Sequence, residues 1–419
     1  MLRSLALVVV VLSSCADLRD LAPPGEDVSS TAQRITQAAP DPDVEAASVA
    51  NTALGLALLA RHPDGNFIFS PYSITSATSM LEAGARGDTQ TGIIKALKQT
   101  LPEAQHHRAM NTLEAAIESR GATAKGKDGK PFRLIATNQL FGQRGQRFEQ
   151  AYLDTLKQEY GAGIRLLDFS TDAARVSINQ WVGQRTEGKI PNLFAPNSLL
   201  GARLAVVNTL YFNAAWEDVF DKAATKPHPF TLLDGAKIDV AMMRNPKLKG
   251  AKAALVDGTQ VLELPYDGQD VSLVVVAPPV GKFADVVGGL DGAKLHGLIT
   301  RAGVGGYDVR LPKFKFDTSL ELAEDLKALG MTHAFDAAKA DFSGMTGQPE
   351  LFVGVAVHQA VIILDESGTE AAAATGFGTF TTSVPPPPTE VIIDRPFLFF
   401  IRDVKTGLVL FAGRVVNPS

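Results

Sequence analysis

The sequence predicts one large α+β domain over residues 45–419. Apolar residues recur at helical spacing through the N-terminal third, while alternating and unbroken apolar runs, the marks of strands, dominate the C-terminal half. No linker-like stretch divides the two regions. Composition agrees: of 419 residues, 45% are hydrophobic and 20% charged, as in a globular protein with a sizeable core.

The elements follow in order. From Val44, residues Val49, Ala53, Leu54, Ala57 and Leu58 share a helical face that ends near His62-Pro63. Ser70-Pro71 opens a second helix carrying Ile74, Ala77, Met80 and Leu81, with Gly84 and Gly87 closing it. Phe132, Leu134, Ala136, Asn138 and Leu140 alternate and predict a strand, and helical patterns return over 148–160 and 172–186. Residues 203–213 (RLAVVNTLYFN) are apolar on both faces, as in a covered central strand, so Asn208 in their middle needs a partner. Asp234-Gly235 and Asp267-Gly268 mark two hairpins. YDVRLPKFKFD predicts a strand and residues 318–329 a helix; LFVGVAVHQAVIIL, FLFFIRD and GLVLFAGRVV predict three more strands.

The N-terminus is of another kind. MLRSLALVVVVLSSC pairs one early charge, Arg3, with an apolar run over 5–12, too short to span a bilayer and suited to a signal peptide. It closes on Leu12-Ser13-Ser14-Cys15, which resembles the bacterial lipobox, whose cysteine is lipidated. Residues 1–15 are therefore expected to be a lipoprotein signal peptide and 16–44, rich in Pro, Asp, Ser and Ala, a flexible tether. The implied product is an exported, membrane-anchored lipoprotein of the outer membrane or cell surface, or an extracellular protein. Cys15 is the only cysteine, which leaves no disulfide pair and no cysteine for catalysis or metal binding in the domain.

Function classes fall away in turn. Net charge is −5 and the isoelectric point about 5.9, so nucleic acid is not an expected partner. No G-x-S-x-G or H-E-x-x-H motif is present. GQRTEGKI (183–190) lacks the Ser or Thr of a phosphate loop and follows a helix rather than a strand. His106-His107, in a polar helical stretch, is expected to be a solvated pair, and Arg120, Lys125, Lys127, Lys130 and Arg133 a solvated basic loop. No cofactor and no metal is expected.

Nine separated stretches then point to one family. NFIFSPYSI, ARGDT, ATNQLFG, INQWVGQRTEGKIPNLF, VVNTLYFNAAWEDVF, ELPY, LPKFKF, VHQAVIILDESGTEAAAATG and RPFLFFIRDVKTGLVLFAGRVVNP resemble serpin motifs, in serpin order, across the whole chain from residue 45. The resemblance implies a serpin fold: three β-sheets, about nine helices and an exposed reactive centre loop at about 366–390. It implies a monomer that is not an enzyme. Its partner would be a target protease, caught covalently as the cut loop inserts into the main sheet.

The resemblance assigns individual residues to the family's moving parts. Glu366, Gly368, Thr369, Glu370, Ala371, Ala372, Ala373 and Ala374 match the loop hinge. Lys313 and Glu366 match the hinge ion pair, Ser70, Ser73, Asn208 and His358 the cluster where the sheet opens, and Trp216 the point of first insertion. Family spacing places the reactive bond between Thr382 and Ser383. A small Thr382 suits an elastase-like pocket, and a shift to Phe380 would suit a chymotrypsin-like one. A papain-like cysteine protease is an alternative target, and a non-inhibitory binding protein the alternative function.

The residues of the hinge permit insertion. In a strand, Thr369, Ala371, Ala373 and Thr375 share one face and Glu370, Ala372, Ala374 and Gly376 the other, so the one charge falls on a single face. About a dozen new ladder hydrogen bonds at roughly 0.5–1.5 kcal/mol each give a drive on the order of 10 kcal/mol. Pro385 to Pro388 favour an extended, unpaired segment beyond the cut.

Overall fold

The computed structural model describes residues 21–121, 124–126, 129–130, 132–248, 250–369 and 388–419. Cys15 and the signal segment, hinge residues 370–374 and the Thr382-Ser383 bond lie outside them.

Three sheets organise the described chain. The main sheet has the spatial order β1 (Glu26–Val28), β4 (Ile164–Leu167), β3 (Arg133–Gln143), β5 (Leu204–Ala215), β15 (Gly368–Thr369), β14 (Val355–Asp365), β13 (Phe314–Glu321). The second runs β11 (Gly303–Val304), β8 (Lys252–Val256), β9 (Thr259–Pro265), β10 (Val271–Ala277), β17 (Phe397–Asp403), β18 (Val409–Val415), β2 (Phe67–Phe69). The third is β16 (Thr389–Ile392), β12 (Tyr307–Pro312), β7 (Lys237–Leu248), β6 (Lys226–Thr231). Ten α-helices accompany them among the described residues: α1 Asp41–Arg61, α2 Pro71–Gly84, α3 Gly87–Ala96, α4 Glu103–Glu118, α5 Gln150–Tyr160, α6 Ala173–Arg185, α7 Phe283–Gly288, α8 Gly292–Arg301, α9 Leu322–Leu329 and α10 Ser343–Thr346.

The main sheet is covered on both faces, as the apolar pattern of β5 requires. Leu204, Val206, Leu210 and Phe212 join the large core that holds α2, while Ala205 and Val207 turn to a second core with Trp181 and Val182 of α6. Helix α2 is buried along its whole length. Ser70 caps it by accepting from the Ser73 amide at 3.1 Å, and Pro71 takes the first turn, where its missing N–H costs nothing.

Several expectations are corrected. The segment over 16–44 is not a free tether where it is described. Glu26–Val28 pairs antiparallel with β4, and the Arg34 guanidinium bonds Asn111 Oδ1 at 2.9 Å and meets Glu114 and Glu118 at 3.1 and 3.3 Å. Helix α1 begins at Asp41, and Val49 faces out while Ala47, Ala50, Leu54 and Leu58 face in. YDVRLPKFKFD splits between the third sheet and the main one, and residues 318–321 continue β13 rather than start a helix, because β14 pairs with them through Glu321. His106 and His107 are buried, not solvated: Ser79 Oγ lies 2.8 Å from His106, and the Tyr160 hydroxyl 2.6 Å from His107. Arg120 and Arg133 of the basic loop are taken up by Asp403 and Glu187.

Candidate functional site: a parted seam in the main sheet

Strands β5 and β14 are joined directly at one end only. They pair in parallel from Ala205–Val355 to Thr209–Gln359. At the other end the chain leaves β14, turns at Glu366-Ser367 and re-enters the sheet between the same two strands. There Thr369 pairs with Leu364 and Ala214, and Gly368 with Asp365 and Ala215. Between these ends, Leu210, Tyr211 and Phe212 of one strand and Val361 and Ile363 of the other line a narrow, partly open cavity that Thr369 borders.

The start of the expected exposed loop is thus inside the protein. Glu366, Ser367, Gly368 and Thr369 are all buried. Gly368 stands at φ +140, where a Cβ would overlap the Ala214 carbonyl, so only glycine fits. The Thr369 hydroxyl meets the Tyr266 hydroxyl at 2.9 Å.

Trp216 holds this turn from behind. Its indole stacks on Tyr266 with centroids 4.6 Å apart and planes 8° apart. Its Nε1–H donates to Asp365 O at 2.9 Å, and its backbone N–H to Ser367 O at 3.0 Å. Glu366 is held at both oxygens, by Lys313 Nζ at 2.9 Å and the Thr225 hydroxyl at 2.7 Å. Burial pushes its carboxyl up, but these two donors outweigh burial and leave it below the ordinary range.

At the closed end, the predicted polar cluster is assembled. His358 and Asn208 are register partners across the seam. The Ser70 amide donates to His358 Nε2 at 2.9 Å, which fixes the proton on Nδ1, and Nδ1–H donates to Asn208 Oδ1 at 2.6 Å. The Asn208 amide donates to Ser73 O and to Asn138 Oδ1, and Ser73 Oγ donates to Asn138 Oδ1 at 2.8 Å. Burial drives the His358 pKa down to about 3, so the ring is neutral and the network closes without charge.

Sequence reasoning missed Asn138, Thr225 and Tyr266 as parts of this site. Asn138 carried a signal: an amide on the inward face of an otherwise apolar strand needs a buried partner, and β3 sets it directly opposite Asn208.

The architecture is shared with solved structures. The thermophilic serpin tengpin in its native state superposes with a TM-score of 0.82 at 24% identity, over 94% of this chain and all of that one. Human thyroxine-binding globulin complexed with thyroxine gives 0.78 at 28% identity, over 90% of this chain and all of that one.

Sequence comparison is more specific. The family model described as serpin (serine protease inhibitor) matches residues 49–418, and the chain belongs to that family. The human leukocyte elastase inhibitor is 37% identical over 393 residues, covering 90% of this chain and all of the relative. An uncharacterised serpin-like protein of Thermococcus kodakarensis is 34% identical over 361 residues, 85% of this chain and 82% of the relative. Serpins inhibit proteases and are not themselves enzymes.

Proposed function

We propose that this protein is a suicide substrate for serine proteases of elastase-like or chymotrypsin-like specificity. The observation that carries the reading is the foothold at Gly368–Thr369, two residues of the loop already paired between β5 and β14. Cleavage at Thr382-Ser383 would free the segment behind it to continue that strand. In the register begun by Thr369 with Ala214 and Leu364, Ala371 and Ala373 would fall opposite Phe212 and Leu210, and Thr375 opposite both Asn208 and His358. Small side chains would thus fill the cavity, and a hydroxyl would arrive where the polar cluster has been pulled apart. Relatives named as leukocyte elastase inhibitors, with a small residue at the proposed bond, support the elastase-like class.

Mixing the purified protein with elastase and with chymotrypsin should give a denaturant-resistant covalent complex, and mass spectrometry of the released peptide should place the cut after Thr382. If every active serine protease tried merely cleaves the loop, the inhibitory reading fails. A papain-like target would show as a complex with such an enzyme alone. A second reading, a binding protein on this scaffold, is favoured by the likeness to thyroxine-binding globulin and predicts little thermal stabilisation on loop cleavage.

We further propose that Cys15 is lipidated and anchors the exported protein to a membrane, on the strength of the lipobox-like Leu12-Ser13-Ser14-Cys15. Incorporation of labelled fatty acid that persists in Cys15→Ser would overturn this.

A further inference from the structure

Away from the seam, three metal-ligating atoms converge where the end of α2 meets the start of α4. Glu82 sits in the last turn of α2, Glu103 in the first turn of α4, and His107 one turn further along the same face. His107 Nε2 lies 3.1 Å from Glu82 Oε2 and 3.8 Å from Glu103 Oε1, and the three ligand atoms all fall within 4.8 Å of one another.

Two of these atoms are buried without a hydrogen bond: Glu82 Oε2 and His107 Nε2. The Glu82 side chain is wholly buried and that of His107 only 5% exposed, whereas Glu103, at 44%, opens the cluster to solvent. Glu82 Oε2 and His107 Nε2 face each other at 3.1 Å, with Glu103 beside them, but without hydrogen-bond geometry, and burying such a contact is costly, so its orientation needs a reason.

The surrounding groups hold this orientation. The Gln90 amide donates to Glu82 Oε1 at 3.3 Å and to Glu103 Oε2 at 2.8 Å, tying back the outer oxygen of each carboxylate. The other imidazole nitrogen, Nδ1, is 2.6 Å from the Tyr160 hydroxyl. With Nδ1–H donating there, the Nε2 lone pair faces the two carboxylates. Imidazole ligands of metals are commonly oriented by such a bond from the second nitrogen.

A proton on Nε2 or on a carboxylate would serve one contact of this group, whereas a divalent cation serves all three and balances two carboxylates. Ligand atoms about 2.0–2.1 Å from a tetrahedral ion stand about 3.3 Å apart, and the two distances from His107 bracket that value. One imidazole with only two carboxylates suits zinc better than magnesium or calcium, which take six or more oxygens.

We propose that Glu82, Glu103 and His107 form a zinc-class metal site, with water as the fourth ligand. The ion would tie α2 to α4 and, through Tyr160, to α5.

The test uses chelator-treated protein and zinc chloride. Titration calorimetry should give one zinc per chain together with a rise in Tm, and magnesium chloride should give neither. Cobalt(II) should produce the visible absorption of a tetrahedral site. Glu103→Gln, on an exposed side chain, should weaken zinc binding about tenfold or more with the metal-free Tm unchanged, and Gln90→Leu about tenfold through orientation alone. His296→Gln, at an exposed histidine elsewhere, should bind as the parent does. Absence of zinc binding, or binding that survives both Glu103→Gln and His107→Ala, would overturn the site.

Discussion

The imidazole of His358 and the side chain of Asn208 bridge the seam of the main sheet at one of the five register pairs by which β5 and β14 still touch, joined by a 2.6 Å hydrogen bond. A strand inserting between β5 and β14 must break that bond. His358→Ala is expected to leave the Ser70 amide and Asn208 Oδ1 buried without partners and to cost about 1–3 kcal/mol. Urea unfolding should show a lower midpoint, and on incubation the variant should convert faster to a form inert toward protease. An unchanged conversion rate would mean that the cluster does not gate the sheet.

Thr369 is buried against Tyr266. An arginine there would have to enter the sheet as an unpaired charge, at a cost of several kcal/mol, and delay insertion while the acyl-enzyme hydrolyses. Thr369→Arg should turn inhibitor into substrate: cleaved protein accumulates, covalent complex does not. Thr369→Ser should behave as the parent. Equal complex formation in both variants would count against insertion on this face.

Lys313 and Thr225 hold Glu366 below its ordinary pKa despite burial. A depressed carboxylate stabilises the fold above its unfolded pKa and loses that contribution as pH falls through the folded value. With Lys313 partly exposed, Lys313→Met should cost about 1 kcal/mol at neutral pH. The gap between variant and parent should close at acid pH, which paired urea titrations would measure.

His358 and His106 are both driven to about 3 by burial, against about 6.5 in an unfolded chain. Between those values the unfolded chain binds protons that the folded protein refuses, so stability rises with pH across the window and is fully present above it. Each ring contributes a slope of up to about 1.4 kcal/mol per pH unit. Unfolding midpoints should fall from pH 7 to pH 5; a flat profile would place both of these rings in contact with water.

Arg34 ties the N-terminal segment to α4 through Asn111, Glu114 and Glu118. Arg34→Ala should cost about 1 kcal/mol and speed amide exchange at Glu26–Val28, which pairs with β4 just before that docking. Unaltered exchange would show that the strand holds by itself.

Much of this was legible because its signals are local. Ser70-Pro71 reads as a helix start, Asp234-Gly235 as a turn, and Asn208 in an apolar strand as a group that needs a partner. What escaped was set by distant partners. Residues 318–321 have a helical pattern but are claimed by β14, some forty residues on. His106 and His107 stand in a polar stretch yet are sealed by Ser79, Glu82 and Tyr160 from other helices. The segment over 21–40 is held by side-chain and backbone hydrogen bonds rather than by an apolar stripe, so periodicity had nothing to register.

That docking also sets a length. A free tether over residues 16–44 would let the domain roam about 100 Å from a lipidated Cys15. Leu21, however, already accepts hydrogen bonds from Trp181 and Arg185, at 2.9 and 3.4 Å. If Cys15 is lipidated as proposed, only six peptide units lie between that anchor and Leu21, a reach of at most about 20 Å. Such a protein would be less a float on a line than a fixture mounted close to the bilayer, α6 side near the lipid. Proteases would then meet it within about 20 Å of the membrane, and a bulky enzyme would have less room on the α6 side than on the far one.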